Sequence, residues 1–176
     1  AATRAVEASR QWSVYLTIHP DNRVDLISPI MEMGQGTRTI GPMILADEMD
    51  LDWSLITFGK DAPVHMSRNV KGEVTYDHAS LGCGRSQTVR NNWVYLRRAG
   101  PTVRRMLIEA AAEHWRVSPD ALVTEKSFVV DPNSNQRVSY GQLAGKAATR
   151  RVAADHIRMK QQSEYRIMGK EAGGVG

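Results

Sequence analysis

Met31-Glu32-Met33-Gly34-Gln35-Gly36-Thr37-Arg38-Thr39 is the stretch on which the reading of this chain turns, because one periodicity ends there and another begins. Upstream, residues 14–18 and 24–27 are rich in β-branched and aromatic side chains, and Pro20-Asp21-Asn22 between them supplies a turn. This pattern predicts a β-hairpin. Downstream, Ile40, Met43, Ile44 and Met49 recur at helical spacing from Thr37 onward. Pro42 is assigned to the first turn of that helix, where a missing N–H costs little. Gly34-Gln35-Gly36 is therefore a strand-to-helix turn. Glycines let a backbone approach a ligand closely, and free N–H groups at a helix start attract an anion. A purely structural turn is the other reading of the same residues.

Further along, residues 55–58 read as a short strand and 59–80, which lack a period, as a loop. Val89, Trp93, Leu96, Gly100, Val103, Leu107, Ala110 and His114 follow at steps of three or four. They predict one kinked helix over 86–115 that runs through Pro101, with a break at Gly100-Pro101 as the alternative. Residues 128–130 and 137–138 flank Pro132-Asn133-Ser134-Asn135 and predict a second hairpin. Ser139 then caps a last helix to residue 151. Two β-β-α-like units make the fold class α+β, with mixed sheet layers and packed helices. The expected divisions are an N-terminal extension over 1–12, the domain over 13–155 and a connector over 156–176 that ends in a glycine-rich, linker-like composition.

Composition narrows the class. The chain has 176 residues, 41% hydrophobic and 24% charged, the balance of one globular domain. Its single cysteine, Cys83, excludes an internal disulfide, a CxxC zinc site and a Cys-ligated iron–sulfur cluster. His19, His65, His78, His114 and His156 show no metal-ligand spacing, so no metal ligands are assigned. The net charge is +4, yet between His78 and Ile108 there is no acid and no lysine, only Arg85, Arg90, Arg97, Arg98, Arg104 and Arg105. Such a local excess points to a specific anion rather than a nucleic-acid coat. For Arg97-Arg98 and Arg104-Arg105 a solvated face is the plainer reading. The Ala1-Ala2-Thr3 start fits either removal of an export signal or a cut chain.

Gly82-Cys83-Gly84-Arg85-Ser86 repeats the form of the first turn: two glycines, then donors, then a helix. Together the two turns read as walls of a phosphate-bearing cofactor site. Residues 31–39 and the run Leu45-Ala46-Asp47-Glu48-Met49-Asp50-Leu51-Asp52-Trp53 resemble the molybdopterin-binding large subunit of the xanthine oxidase family. More narrowly they resemble the branch containing isoquinoline oxidoreductase and the membrane-bound aldehyde dehydrogenases of acetic acid bacteria. Gly82 to Ser86, Leu96-Arg97-Arg98-Ala99-Gly100, the run Met106-Leu107-Ile108-Glu109-Ala110-Ala111-Ala112-Glu113-His114-Trp115, Val138-Ser139-Tyr140-Gly141-Gln142-Leu143-Ala144 and Tyr165-Arg166-Ile167-Met168-Gly169-Lys170 continue the resemblance in the family's order.

The resemblance implies that Gly34, Gln35, Gly36 and Thr37 approach the pterin and phosphate side of the cofactor. It implies that Gly82, Cys83, Gly84, Arg85 and Ser86 form a second wall. Cys83 stands where a glycine or another small residue is expected, and reads as a small buried thiol, not a molybdenum ligand. The implied cofactor is molybdopterin cytosine dinucleotide carrying molybdenum. The implied partners are the remainder of the molybdopterin-binding subunit, a 2Fe–2S small subunit and a membrane-associated cytochrome c subunit with haem c, with no nucleic acid. The implied reaction oxidises an aldehyde to a carboxylic acid with oxygen from water, the alternative being hydroxylation of an N-heteroaromatic such as isoquinoline. The general base lies beyond the sequence, so no catalytic residue is assigned and the chain alone is not expected to turn over. Glu32 merely flanks the turn and Glu48 is read as solvated on its helix. The periplasm is the expected compartment and the cytoplasm the alternative. Two other classes compete: a small basic nucleic-acid-binding module, which lacks interleaved aromatics, and a scaffold domain touching no cofactor. Met43 and Met49 are read as apolar surface meant for a partner.

Overall fold

The computed structural model describes residues 10–13, 16–26, 32–58, 66–68, 74–76, 86 and 88–170. The hairpin is β2 (Leu16–Ile18) and β3 (Val24–Leu26). Leu16 pairs with Leu26 and Ile18 with Val24, and all four are buried while Thr17 and Asp25 face outward. That alternation follows from the two-residue period of a strand. Asn22 closes the turn at a φ of 72°. Two further strands extend the sheet: β1 (Arg10–Ser13) pairs with β2, and β4 (Ile56–Phe58) pairs with β3 in parallel. The sheet thus begins at Arg10, inside the stretch set apart as an extension. A parallel neighbour needs a crossover, and α1 (Thr37–Met49) supplies it.

Pro42 lies inside α1, not in its first turn. Counted from Thr37, Pro42 is about the sixth helical residue and so falls in the second turn, where it is buried. The 59–80 loop is also corrected: β5 (Met66–Arg68) and β6 (Val74–Tyr76) form an antiparallel ribbon within it. Strands of three residues are too short to register as a period.

The long helix α2 (Thr88–Trp115) passes through Pro101 unbroken. It packs along α1 at Gly100, where an added Cβ would lie 2.6 Å from Cβ of Glu48. After it come β7 (Val123–Glu125), β8 (Phe128–Asp131) and β9 (Gln136–Ser139), an antiparallel sheet in that order. The β8–β9 hairpin was legible; β7 was not. Ser139 caps α3 (Tyr140–Ala147) through a capping box with Gln142. This helix stops at Ala147, short of 151, as Thr149 caps the Lys146 carbonyl and Arg150 turns to pair with Glu113 on α2.

One core joins the layers: Ile18, Val24, Leu26, Ile44, Met49, Leu107, Val129 and Tyr140 are almost wholly buried. Met49 lies in this core and Met43 packs on it, so neither forms a partner surface. Buried Asn22 stitches the halves, accepting from the Gly141 amide at 3.1 Å and donating to the Ser127 carbonyl at 3.2 Å. The class is α+β, with a mixed main sheet and packed helices. No described helix is long and apolar enough to cross a membrane.

Candidate functional site

The turn ahead of α1 is held by left-handed glycines, Gly34 at φ +94° and Gly36 at φ +80°. Side chains rarely adopt these angles, which explains both glycines. Nothing lies within 4 Å of the position a Cβ would occupy on either, so this edge of the backbone is open. Met33 and Gln35 are exposed beside it. Gln35 folds back, its Oε1 accepting from the Met33 amide at 2.5 Å.

The expectation of free N–H donors is corrected. Glu32 Oε1 accepts from the amides of Gly34 at 2.6 Å and Gly36 at 3.1 Å. Its Oε2 accepts from the Arg38 amide at 2.8 Å and from the Thr37 hydroxyl at 3.4 Å. The Arg38 amide foremost, with those of Gly36 and Gly34, holds the Glu32 carboxyl down at about 2, against its ordinary 4.5. The amides of Thr39 and Ile40 close on the Gly36 carbonyl. Thr37 is buried, so its hydroxyl faces Glu32 and not the open edge. Of the second turn, Ser86 is exposed at φ 54°, while Gly82, Cys83, Gly84 and Arg85 lie outside the described residues.

Arg97, Arg104 and Arg105 of the arginine stretch are likewise engaged by the chain itself. Asp47, Glu48 and Asp50 crowd the C-terminal end of α1, where the helix dipole disfavours anions. Their compensation comes from α2 and from the segment 158–168. Glu48, with a fully buried side chain, pairs with Arg97 at 2.8 Å, which corrects its reading as solvated. Asp50 pairs with Lys160 at 2.5 Å and Arg104 at 3.3 Å, and accepts from Thr124. Asp47 accepts from the backbone amides of Arg166, Ile167 and Met168. Glu48 accepts from the Lys160 amide at 3.0 Å, and Arg97 donates to the Lys160 carbonyl. The guanidinium of Arg97 also stacks against Trp93 and Tyr165. The segment read as a connector is thus strapped to the body, with Lys160 and Ile167 buried.

A cavity of about 750 Å³ opens between α2 and this strap. Its cations are largely spent: Arg104 and Lys160 on Asp50, Arg105 on Asp120, Arg158 on Glu164. Arg97, Arg104 and Arg105 are therefore neither a solvated face nor an exogenous anion site; their anions are the chain's own carboxylates. Among the described residues, no cluster of His, Cys, Asp and Glu is placed to hold a metal.

Residues 2–174 match the molybdopterin cofactor-binding domain. The chain belongs to that family. This molybdopterin cofactor-binding domain is 28% identical to the beta chain of isoquinoline 1-oxidoreductase from Brevundimonas diminuta, covering 91% of the present chain and 24% of the relative. It is 26% identical to a nicotinate dehydrogenase subunit from Pseudomonas putida, covering 93% and 13%. With the membrane-bound aldehyde dehydrogenase (pyrroloquinoline-quinone) of Gluconacetobacter polyoxogenes it shares 24%, covering 89% and 19%. The crystal structure of quinoline 2-oxidoreductase from Pseudomonas putida 86 overlays with a TM-score of 0.50 at 16% identity, over 85% of the present chain and 17% of the relative. The fold is therefore that of a molybdenum hydroxylase cofactor-binding domain, and the chain spans about a quarter or less of each relative's length.

The turn presents an open backbone edge at Gly34 and Gly36, flanked by the Gln35 side chain. These residues fit a close contact with an uncharged part of the cofactor. The Gly34, Gly36 and Arg38 amides do not fit a phosphate, since Glu32 already holds them.

Proposed function

We propose that this domain holds the molybdenum cofactor within a larger oxidoreductase subunit through the turn at Gly34, Gln35 and Gly36. The observation that carries the reading is the pair of left-handed glycines at the head of α1, open where a Cβ would stand. The match to the family over 2–174 supports it. Gly34 and Gly36 let the backbone come close, and Gln35 orients the group through its amide. Gly82, Cys83, Gly84, Arg85 and Ser86 form the second wall in this reading, with Thr37 supporting the first from within through Glu32. The cofactor, of the cytosine dinucleotide form, supplies the redox centre at which water-derived oxygen enters a C–H bond.

The substrate carbon is electron-poor, sp² and next to a heteroatom, which covers both an aldehyde and the ring carbon beside nitrogen in an N-heteroaromatic. The names of the relatives span both chemistries. In this reading electrons leave through a 2Fe–2S subunit and then a c-type cytochrome carrying haem, in the periplasm.

The test is Gln35→Ala in the whole enzyme. Leaving a buried polar partner of the cofactor unsatisfied costs about 1–3 kcal/mol, so molybdenum per protein and substrate-dependent dye reduction should fall while the fold is retained. Full metal content and full rate, with either an aldehyde or an N-heteroaromatic, would make the turn structural.

A further inference from the structure

Six backbone donors around the glycine turn are closed by protein atoms. Gly34, Gly36 and Arg38 give their amides to Glu32, Thr39 and Ile40 give theirs to Gly36, and Met33 gives its amide to Gln35. Helix α1 has no acid in its first turn, and Gly36 provides no side-chain cap. The carboxylate that the helix start demands comes instead from Glu32, five residues before Thr37. It reaches across the turn and touches it on both sides, at Gly34 and at Arg38. A carboxylate bound in this way stays ionised, and a phosphate brought to the Gly34, Gly36 and Arg38 amides would meet a like charge and donors already engaged.

We propose that Glu32 is a positioning residue that fills the anion cradle of the turn with the chain's own carboxylate, holding Gly34 and Gly36 left-handed while excluding phosphate. Its consequence for the cofactor rests on the reading that this turn meets the cofactor: the group then lies against the open glycine edge with an uncharged part, and its phosphates are bound elsewhere. Glu32 acts through the turn and touches no reacting atom.

The experiment uses the 176-residue chain as wild type, Glu32→Gln and Glu32→Ala, with inorganic phosphate as the probe and the backbone amide signals of Gly34, Gly36 and Arg38 as the readout. Signals from α3 report that each variant is folded. In the wild type, phosphate should leave the three amides unmoved. In Glu32→Ala they should lose protection and then show saturable phosphate shifts that restore it. Glu32→Gln, which keeps the shape and removes the charge, should lose protection in part. Phosphate shifts at these amides in the wild type would overturn the proposal. So would wild-type protection of all three amides in Glu32→Ala without phosphate. A second arm measures molybdenum per protein in the whole enzyme, where Glu32→Ala should lower it. If phosphate occupies the cradle of Glu32→Ala but neither Glu32→Ala nor Gln35→Ala changes metal content, the cofactor reading of the turn falls and the cradle-filling role of Glu32 stands.

Discussion

Glu48→Gln removes one charge from the α1–α2–strap junction while nearly preserving volume. In the native chain Oε1 of Glu48 accepts from Arg97 Nε at 2.8 Å and Oε2 from the Lys160 amide at 3.0 Å. A glutamine has one acceptor oxygen, so its NH₂ must face one of these donors, and Arg97 loses its counter-charge. Breaking a buried ion pair from one side costs roughly 3–5 kcal/mol. Arg97 keeps 18% of its side chain exposed and still donates to the Lys160 carbonyl, so the cost falls at the low end, about 3 kcal/mol. Against a domain stability of about 5–15 kcal/mol the body stays folded, but the strap over 158–168 is the element that can release. Two assays read this. Urea unfolding should shift by about that amount. Trypsin, which cuts after Arg158, Lys160 and Arg166, should cleave the strap faster in the variant, since Lys160 is buried when it is docked. An unchanged cleavage rate, with stability within about 1 kcal/mol of the wild type, would refute the claim that Glu48 holds the strap.

Asn22→Ala strips the hydrogen bonds to Gly141 and Ser127 and leaves a Cβ residue at φ 72°; we expect a loss of about 1–3 kcal/mol in urea unfolding. Asn22→Gly should recover only the part due to the backbone angle. Ser139→Ala removes the capping box of α3 and should cost about 1 kcal/mol, read as a lowered melting temperature. Glu32 titrates at about 2 when folded against an ordinary 4.5, so its support of the turn is complete above 4.5 and is lost as pH falls from there through 2. An amide titration of Gly34, Gly36 and Arg38 with its midpoint back at the ordinary carboxyl value would contradict the hydrogen bonding described.

Local chemistry was readable from residue order alone. The β2–β3 hairpin follows from alternating apolar residues around Pro20-Asp21-Asn22, α1 from its period after Gly36, and the cap of α3 from Ser139 three residues before Gln142. Each of these signals lies within a few residues of the element it builds. The family, too, was legible, because its motifs are runs of adjacent residues. The pairing of charges was not. The Asp47, Glu48 and Asp50 cluster sits at the wrong end of a helix dipole, which in itself demands cations. Which cations answer is decided by packing α1 on α2 at Gly100 and by folding back a segment more than a hundred residues away. Sequence spacing says nothing of such a return. The same holds for Arg97, Arg104 and Arg105: an excess of charge along the chain shows that anions are needed, and only the tertiary structure assigns these three to Glu48, Asp50 and Asp120. The turn at Gly34 and Gly36 combines both cases. The glycines are local and could be read; their amides, with that of Arg38, are claimed by Glu32 because the backbone curls around its side chain, and that curl exists only in three dimensions.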